Sequence, residues 1–213
     1  MICAAPPPPT TERTALRDDP LTRTRLLVVD DHPAVRAGLR ELLADEADFV
    51  VVAAVDTAEA GLEVAKREPI DVAVVDYQLA GRNGLWLSRK LKRLPLPPAV
   101  LIYSAYTDGV LAAAAVVAEA DALVSKGSLG SDLCREIRYT AVGEGHLPAL
   151  PPRLAESLRR RLDHDEQALF GLLLAGLPPT EVAATLGLTP AAMEARLREL
   201  LGRLEGLPAA PRA

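Results

Sequence analysis

Only two of the 213 residues are cysteine, Cys3 and Cys134. That excludes a disulfide framework and a cysteine-built zinc site, and it makes a reducing cytoplasm the expected setting. No stretch approaches the ~18 uncharged apolar residues that a membrane span needs. The start of the chain holds four consecutive prolines (Pro6 to Pro9) and several charges instead of an apolar core, so a signal peptide is not expected there. Positive charge is not in excess either. The net charge is −5, which is not that of a polycation built to coat nucleic acid. No segment recurs at a fixed period, which excludes a solenoid. What is present, 49% hydrophobic and 25% charged residues, is the composition of a globular protein. The length suits one ordinary domain or two small ones.

Residues 1–24, rich in Pro and Thr and without periodicity, are expected to form a disordered arm. From Arg25 the pattern changes. Apolar, β-branched runs recur at Leu26–Val29, Phe49–Val55, Val72–Val75, Ala99–Tyr103 and Leu123–Val124, as in strands buried on both faces of a parallel sheet. Segments of helical spacing alternate with them. Val35, Leu39, Leu42 and Leu43 follow i, i+4, i+7, i+8 after Pro33, and Ala60–Arg67, Leu85–Leu94, Val110–Glu119 and Leu129–Val142 continue the alternation. Five such units over 25–144 predict an α/β fold, a doubly wound five-stranded parallel sheet with helices on both faces. The Gly- and Pro-rich run from Gly143 to Pro152 predicts a break, with a linker and lead-in helix over 145–161. Residues 162–205 read as a small all-α domain with a short tail, 206–213, behind it. Its helices are stopped by Gly176 and Gly187 and restarted by Thr189-Pro190, an N-cap followed by proline. This is helix-turn-helix patterning.

In doubly wound sheets ligands collect at the carboxyl ends of the strands. This sequence places Asp30 and Asp31 after the first strand, Asp76 after the third, Ser104 after the fourth and Lys126 after the fifth. Three converging carboxylates repel unless a cation joins them. A hard divalent ion with oxygen ligands, Mg²⁺, answers that need. A metal, a Lys, a hydroxyl and a spare carboxylate suit phosphoryl transfer, with the carboxylate as nucleophile and the cations neutralising phosphoryl oxygens. His32 beside the pair reads as a loop residue, because Mg²⁺ disfavours imidazole. Trp86 reads as a packing residue.

The runs LLVVDDHPAVRAGLRELL, DVAVVDYQLAGRNG, VLIYSAY and ALVSKGS resemble the flavodoxin-like receiver domain of two-component response regulators over about 25–144. The resemblance implies that a histidine kinase phosphorylates Asp76 and that the chain is not a turnover enzyme. It also implies that Asp30, Asp31, Asp76 and the carbonyl of Gln78 hold Mg²⁺, and that Ser104 and Lys126 bind the phosphoryl group. The family's usual aromatic switch residue is Leu123 here. Glycines usual between the fourth helix and fifth strand are Glu119 and Ala122. The family's self-association face implies a homodimer through the fourth helix, fifth strand and fifth helix, and the Ala/Val-rich Val110–Val117 suits such a contact.

Residues 162–205 resemble the LuxR/NarL-type helix-turn-helix effector, with AGLPPTEVAATLGLT in the family's frame. A helical wheel centred on buried Met193 turns Ala191, Ala192, Ala195, Arg198, Glu199 and Gly202 outward. DNA contacts are then expected from Arg198 and Arg196, with Arg203 and Thr189 beside them. Glu194 stands where the family commonly has a phosphate-contacting Lys. From 166 to 205 three basic residues (Arg196, Arg198, Arg203) face five acidic ones (Glu166, Glu181, Glu194, Glu199, Glu205), which is unfavourable for DNA. Arg159 to Arg161 lie just upstream. Two functions stay open: a phosphorylation-controlled transcriptional regulator that binds DNA as a dimer, or a signalling protein whose degenerate helix-turn-helix binds a protein partner.

Overall fold

The computed structural model describes residues 23–206, so the expected arm and tail fall almost wholly outside the described residues. The chain runs β1 (Thr24–Val29), α1 (Pro33–Ala44), β2 (Phe49–Val55), α2 (Ala58–Arg67), β3 (Val72–Asp76), α3 (Gly84–Leu91), β4 (Ala99–Ser104), α4 (Gly109–Val117), β5 (Ala122–Ser125) and α5 (Gly130–Ala141). Four helices follow: α6 (Pro152–Arg159), α7 (His164–Leu174), α8 (Pro179–Thr185) and α9 (Pro190–Glu205). The strands form one parallel sheet in the order β2-β1-β3-β4-β5.

The apolar runs alternate between the two faces of this sheet. Leu26, Val28, Val72, Val74 and Leu101 pack with Leu39 and Leu43 of α1 and Leu133 and Ile137 of α5. Leu27, Val29, Val75, Val100 and Ile102 pack on the other face with Leu85, Leu87 and Leu91 of α3 and with α4. That second cluster does not stop at α4. It continues through Val110–Val117 into Leu169 and Phe170 of α7 and Met193, Leu197, Leu201 and Leu204 of α9. The two structural units therefore share one core.

Local chemistry sets the helix starts. Thr57, Asn83, Asp108 and Thr189 accept a hydrogen bond from the N–H three residues on, and Asp163 with Glu166 completes a capping box. Glu119 follows α4 at φ 59°, the left-handed position where glycine is usual. An L-residue there costs about 1–2 kcal/mol. The linker is not a free break. The Leu123 N–H of edge strand β5 donates to His146 O at 3.0 Å, and the His146 N–H donates to Glu136 at 2.7 Å.

Candidate phosphoryl-accepting site and effector helix

Asp30, Asp31, Asp76, Ser104 and Lys126 all lie at the carboxyl edge of the sheet, as strand order 2-1-3-4-5 requires when β1 and β3 are neighbours. Lys126 Nζ sits 2.7 Å from Asp30 Oδ2 and 2.8 Å from Asp76 Oδ2, tying three strands together. Asp30 is 1% exposed and Asp76 4%. Burial pushes the Asp76 carboxyl above the usual carboxylate range, against the pull of Lys126. Burial also works against the Lys126 charge, yet its hydrogen bonds to Asp30 and Asp76 hold the ammonium above its usual range. The second oxygen of Asp76 accepts from Gln78 N–H at 3.3 Å, and Asp30 Oδ1 accepts from His32 N–H at 2.9 Å. Ser104 is buried and its Oγ accepts from Tyr106 N–H at 3.1 Å. Leu123 is buried in β5. The Tyr103 ring centroid lies 5.8 Å from Lys126 Nζ.

Asp30, Asp31, His32 and Asp76 offer ligand atoms that all lie within 4.8 Å of one another. Asp31 Oδ1 is buried without an aligned hydrogen bond, although His32 Nδ1 approaches it to 2.7 Å. Buried carboxylate oxygens with spare lone pairs fit an oxygen-seeking divalent cation. Saturating Mg²⁺ is accordingly expected to raise the melting temperature, with about 2.7 kcal/mol gained at a hundredfold excess over Kd. Asp31→Ala should remove that increment, which differential scanning fluorimetry would show.

Gly84 opens α3 directly behind Asp76. A Cβ on it would lie 2.2 Å from the Asp76 carbonyl oxygen. Gly84→Ala is therefore expected to cost about 1–3 kcal/mol and to displace the end of β3, lowering both the melting temperature and phosphoryl labelling of Asp76.

A model of the response regulator receiver domain matches residues 26–138. The chain belongs to the response regulator receiver family. That is a signalling family, and the resemblance extends past its receiver. The nitrate/nitrite response regulator protein NarL of Escherichia coli K12 is 28% identical over 191 residues, which cover 84% of this chain and 88% of that protein. The response regulator UvrY of the same strain is 26% identical and covers 78% of this chain and 80% of its own. Among solved structures, the response regulator ChrA of a heme-sensing two-component system is 30% identical, with TM-score 0.51 over 88% of this chain and 93% of its own. The response regulator RcsB in complex with DNA, at 20% identity and TM-score 0.58 over 88% of this chain and 94% of that one, shares the fold.

The effector residues of this receiver-family chain are placed differently from expectation. The Val110–Val117 face, expected to meet a second copy, is covered by the chain's own α7 and α9, and all but Val116 of these residues are buried. Glu194, expected to face DNA, faces the receiver. Arg89 Nη2 lies 2.6 Å from its Oε1, and Arg93 Nη2 lies 3.0 Å from its Oε2 and 2.5 Å from Glu119. Asn83 Nδ2 donates to Glu205 at 2.6 Å. Of the residues expected at DNA, Arg196 pairs with Asp165 at 3.0 Å and Arg203 with buried Glu166 at 2.9 Å. Both hold α9 onto α7. Thr189 caps α9 through Ala192 N–H at 3.2 Å. Of the three arginines only Arg198 has no ion pair among the described residues, and it is exposed. Sequence reasoning missed Asn83, Arg89 and Arg93. The available signal was the run 82–93, which has five basic residues (Arg82, Arg89, Lys90, Lys92, Arg93) and no acid.

Proposed function

We propose that the chain is a response regulator that accepts a phosphoryl group on Asp76 from a histidine kinase and acts as a DNA-binding transcriptional regulator. The observation that carries this is the Asp76 carboxylate, buried beside Asp30 and Asp31 and held by Lys126. An Asp76 oxygen attacks phosphorus. The P–N bond to the kinase histidine breaks, and the imidazole nitrogen keeps the electron pair. Asp30, Asp31 and the Gln78 carbonyl would hold Mg²⁺ with Asp76, and the ion supplies positive charge for the phosphoryl oxygens. Lys126 is already poised on Asp76, and the Ser104 hydroxyl is the nearby donor. The chain carries the phosphoryl group and does not turn over a substrate.

In the closed arrangement the α4 face and the α9 surface cover one another, so neither a homodimer nor a DNA complex can use them. Phosphorylation therefore acts by separating the domains. It uncovers α4, which with β5 and α5 makes the face for a second copy, and lets α9 carry the exposed Arg198 to DNA, all in the cytoplasm. No helix among the described residues is long and apolar enough to cross a membrane.

The test is an electrophoretic shift against genomic fragments, run beside sedimentation with and without beryllofluoride. Retardation and a doubled mass are expected with the phosphate mimic only. Affinity should fall steeply with salt, because Arg159 and Arg161 are exposed without ion pairs among the described residues and suit phosphate contacts. No retardation with the mimic at low salt would reject DNA binding and leave the module to a protein partner.

A further inference from the structure

The basic run 82–93 is only partly neutralised. Lys92 pairs with Asp121, and Arg93 with Glu119 and Glu194. The remainder lines a cleft of about 510 Å³ between α3 and α9. Arg82 and Lys90 from the receiver and Arg198 from α9 border it, none with a carboxylate partner among the described residues. Arg89 is 6% exposed, and although Glu194 holds its Nη2, its Nη1 is buried with no hydrogen-bond partner among the described residues. A guanidinium N–H stripped of water without an acceptor is unfavourable, and an anionic oxygen beside it removes that penalty. The two acids at the cleft, Glu194 and Glu205, are already engaged by Arg89, Arg93 and Asn83. The free cations thus leave the cleft net positive in a chain of net charge −5. Its wall includes the Trp86 ring, with Arg82 Cζ at 5.5 Å and Lys90 Nζ at 5.9 Å from the centroid.

We infer that this cleft binds a nucleotide-sized organic phosphate. Its phosphate oxygens meet Arg82, Arg89 and Arg198, and its planar ring lies at Trp86 beside Lys90. Arginine presents paired N–H donors that match phosphate geometry, an aromatic wall accepts a planar ring, and the volume falls within the ~300–1,000 Å³ of small-molecule sites, which favour domain interfaces. Because the ligand touches both domains only when they are packed, its binding and their closure reinforce each other. The regulatory consequence, that the ligand withdraws α9 from DNA, rests on the function proposed above, whereas the binding itself does not.

Calorimetric titration of the full chain with ADP, inorganic pyrophosphate and adenosine, in chelator at low salt, tests this. ADP is expected to bind with Kd below about 1 mM, more tightly than pyrophosphate, and adenosine not at all. The double variant Arg82→Gln/Lys90→Gln, whose side chains are exposed, and separately Arg198→Gln should each weaken ADP by about tenfold or more. Trp86→Leu should weaken ADP and leave pyrophosphate unchanged. Absence of binding by both ADP and pyrophosphate overturns the site. Binding indifferent to Arg82→Gln/Lys90→Gln, or to Arg198→Gln, overturns its placement between the domains. Acetyl phosphate labelling of the same preparations reports on Asp76 independently, so failure of the cleft is not confused with failure of the receiver.

Discussion

Asp76→Asn is expected to abolish labelling by acetyl phosphate while leaving the fold as stable as the wild type or more so. The two halves of this expectation have different causes. An amide is not a nucleophile toward phosphorus, so the covalent step has no acceptor. Stability goes the other way because burial raises the Asp76 carboxyl in the folded chain. A group whose folded pKa lies above its unfolded value favours folding only when protonated, and it opposes folding as pH rises past the carboxylate range. At neutral pH, in chelator, the Asn variant escapes that penalty, and Lys126 keeps Asp30 as partner at 2.7 Å. Radiolabelled or mass-shifted protein, with a melting curve on the same sample, checks both. Labelling that survives in the variant would place the phosphoryl group elsewhere.

The second large effect is expected at the domain contact. Glu194→Lys sets a new ammonium against Arg89, which is 6% exposed, and against Arg93. Breaking a buried pair from one side costs ~3–5 kcal/mol, and because Glu194 is partly exposed about 2–3 kcal/mol is the expected loss to closure. That is roughly a 30- to 150-fold shift toward open molecules. The unphosphorylated variant should show a larger radius of gyration in solution scattering and bind DNA without beryllofluoride. Glu194→Ala should open the domains without adding a phosphate contact, so a difference in salt slope of about one between the two variants separates release from new affinity. An unchanged radius and unchanged DNA binding in both would refute the clamp. Acid has the same sense. Burial works against the Glu194 charge, but Arg89 and Arg93 outweigh it and hold the carboxyl below the usual glutamate range. Its contribution to closure is present above that range and disappears as pH falls through the depressed value, so closure should be insensitive to pH near neutrality.

The sheet and its acidic edge were legible because both are written locally. Buried parallel strands need continuous apolar runs, and Asp31, Asp76, Ser104 and Lys126 each follow one. The Ala-rich α4 announced that something covers it, but not what. An apolar face is equally content with a second copy or with α9 of the same chain. Glu194 had the opposite fate, since its charge was legible while its partners, Arg89 and Arg93, lay about a hundred residues upstream, on α3 and just after it. Arg196 and Arg203 looked free for DNA because their partners, Asp165 and Glu166, come from another helix whose packing no periodicity records. What the linker fastens to was not legible for a related reason. Its backbone hydrogen bonds to β5 and α5 are invisible in a Gly- and Pro-rich string.

Those hydrogen bonds set the length of the leash. With His146 fastened to Leu123 and α6 starting at Pro152, only residues 147–151 are left to swing, and they span no more than roughly 18 Å. An opened effector domain therefore stays at an effective concentration in the millimolar range beside the face it left. A second copy competing for that face comes from bulk solution. Closure is thus independent of how much protein is present, whereas dimerisation is not. The fraction of the phosphorylated chain in its open, paired form should rise with total protein, and a dilute solution should hold it shut.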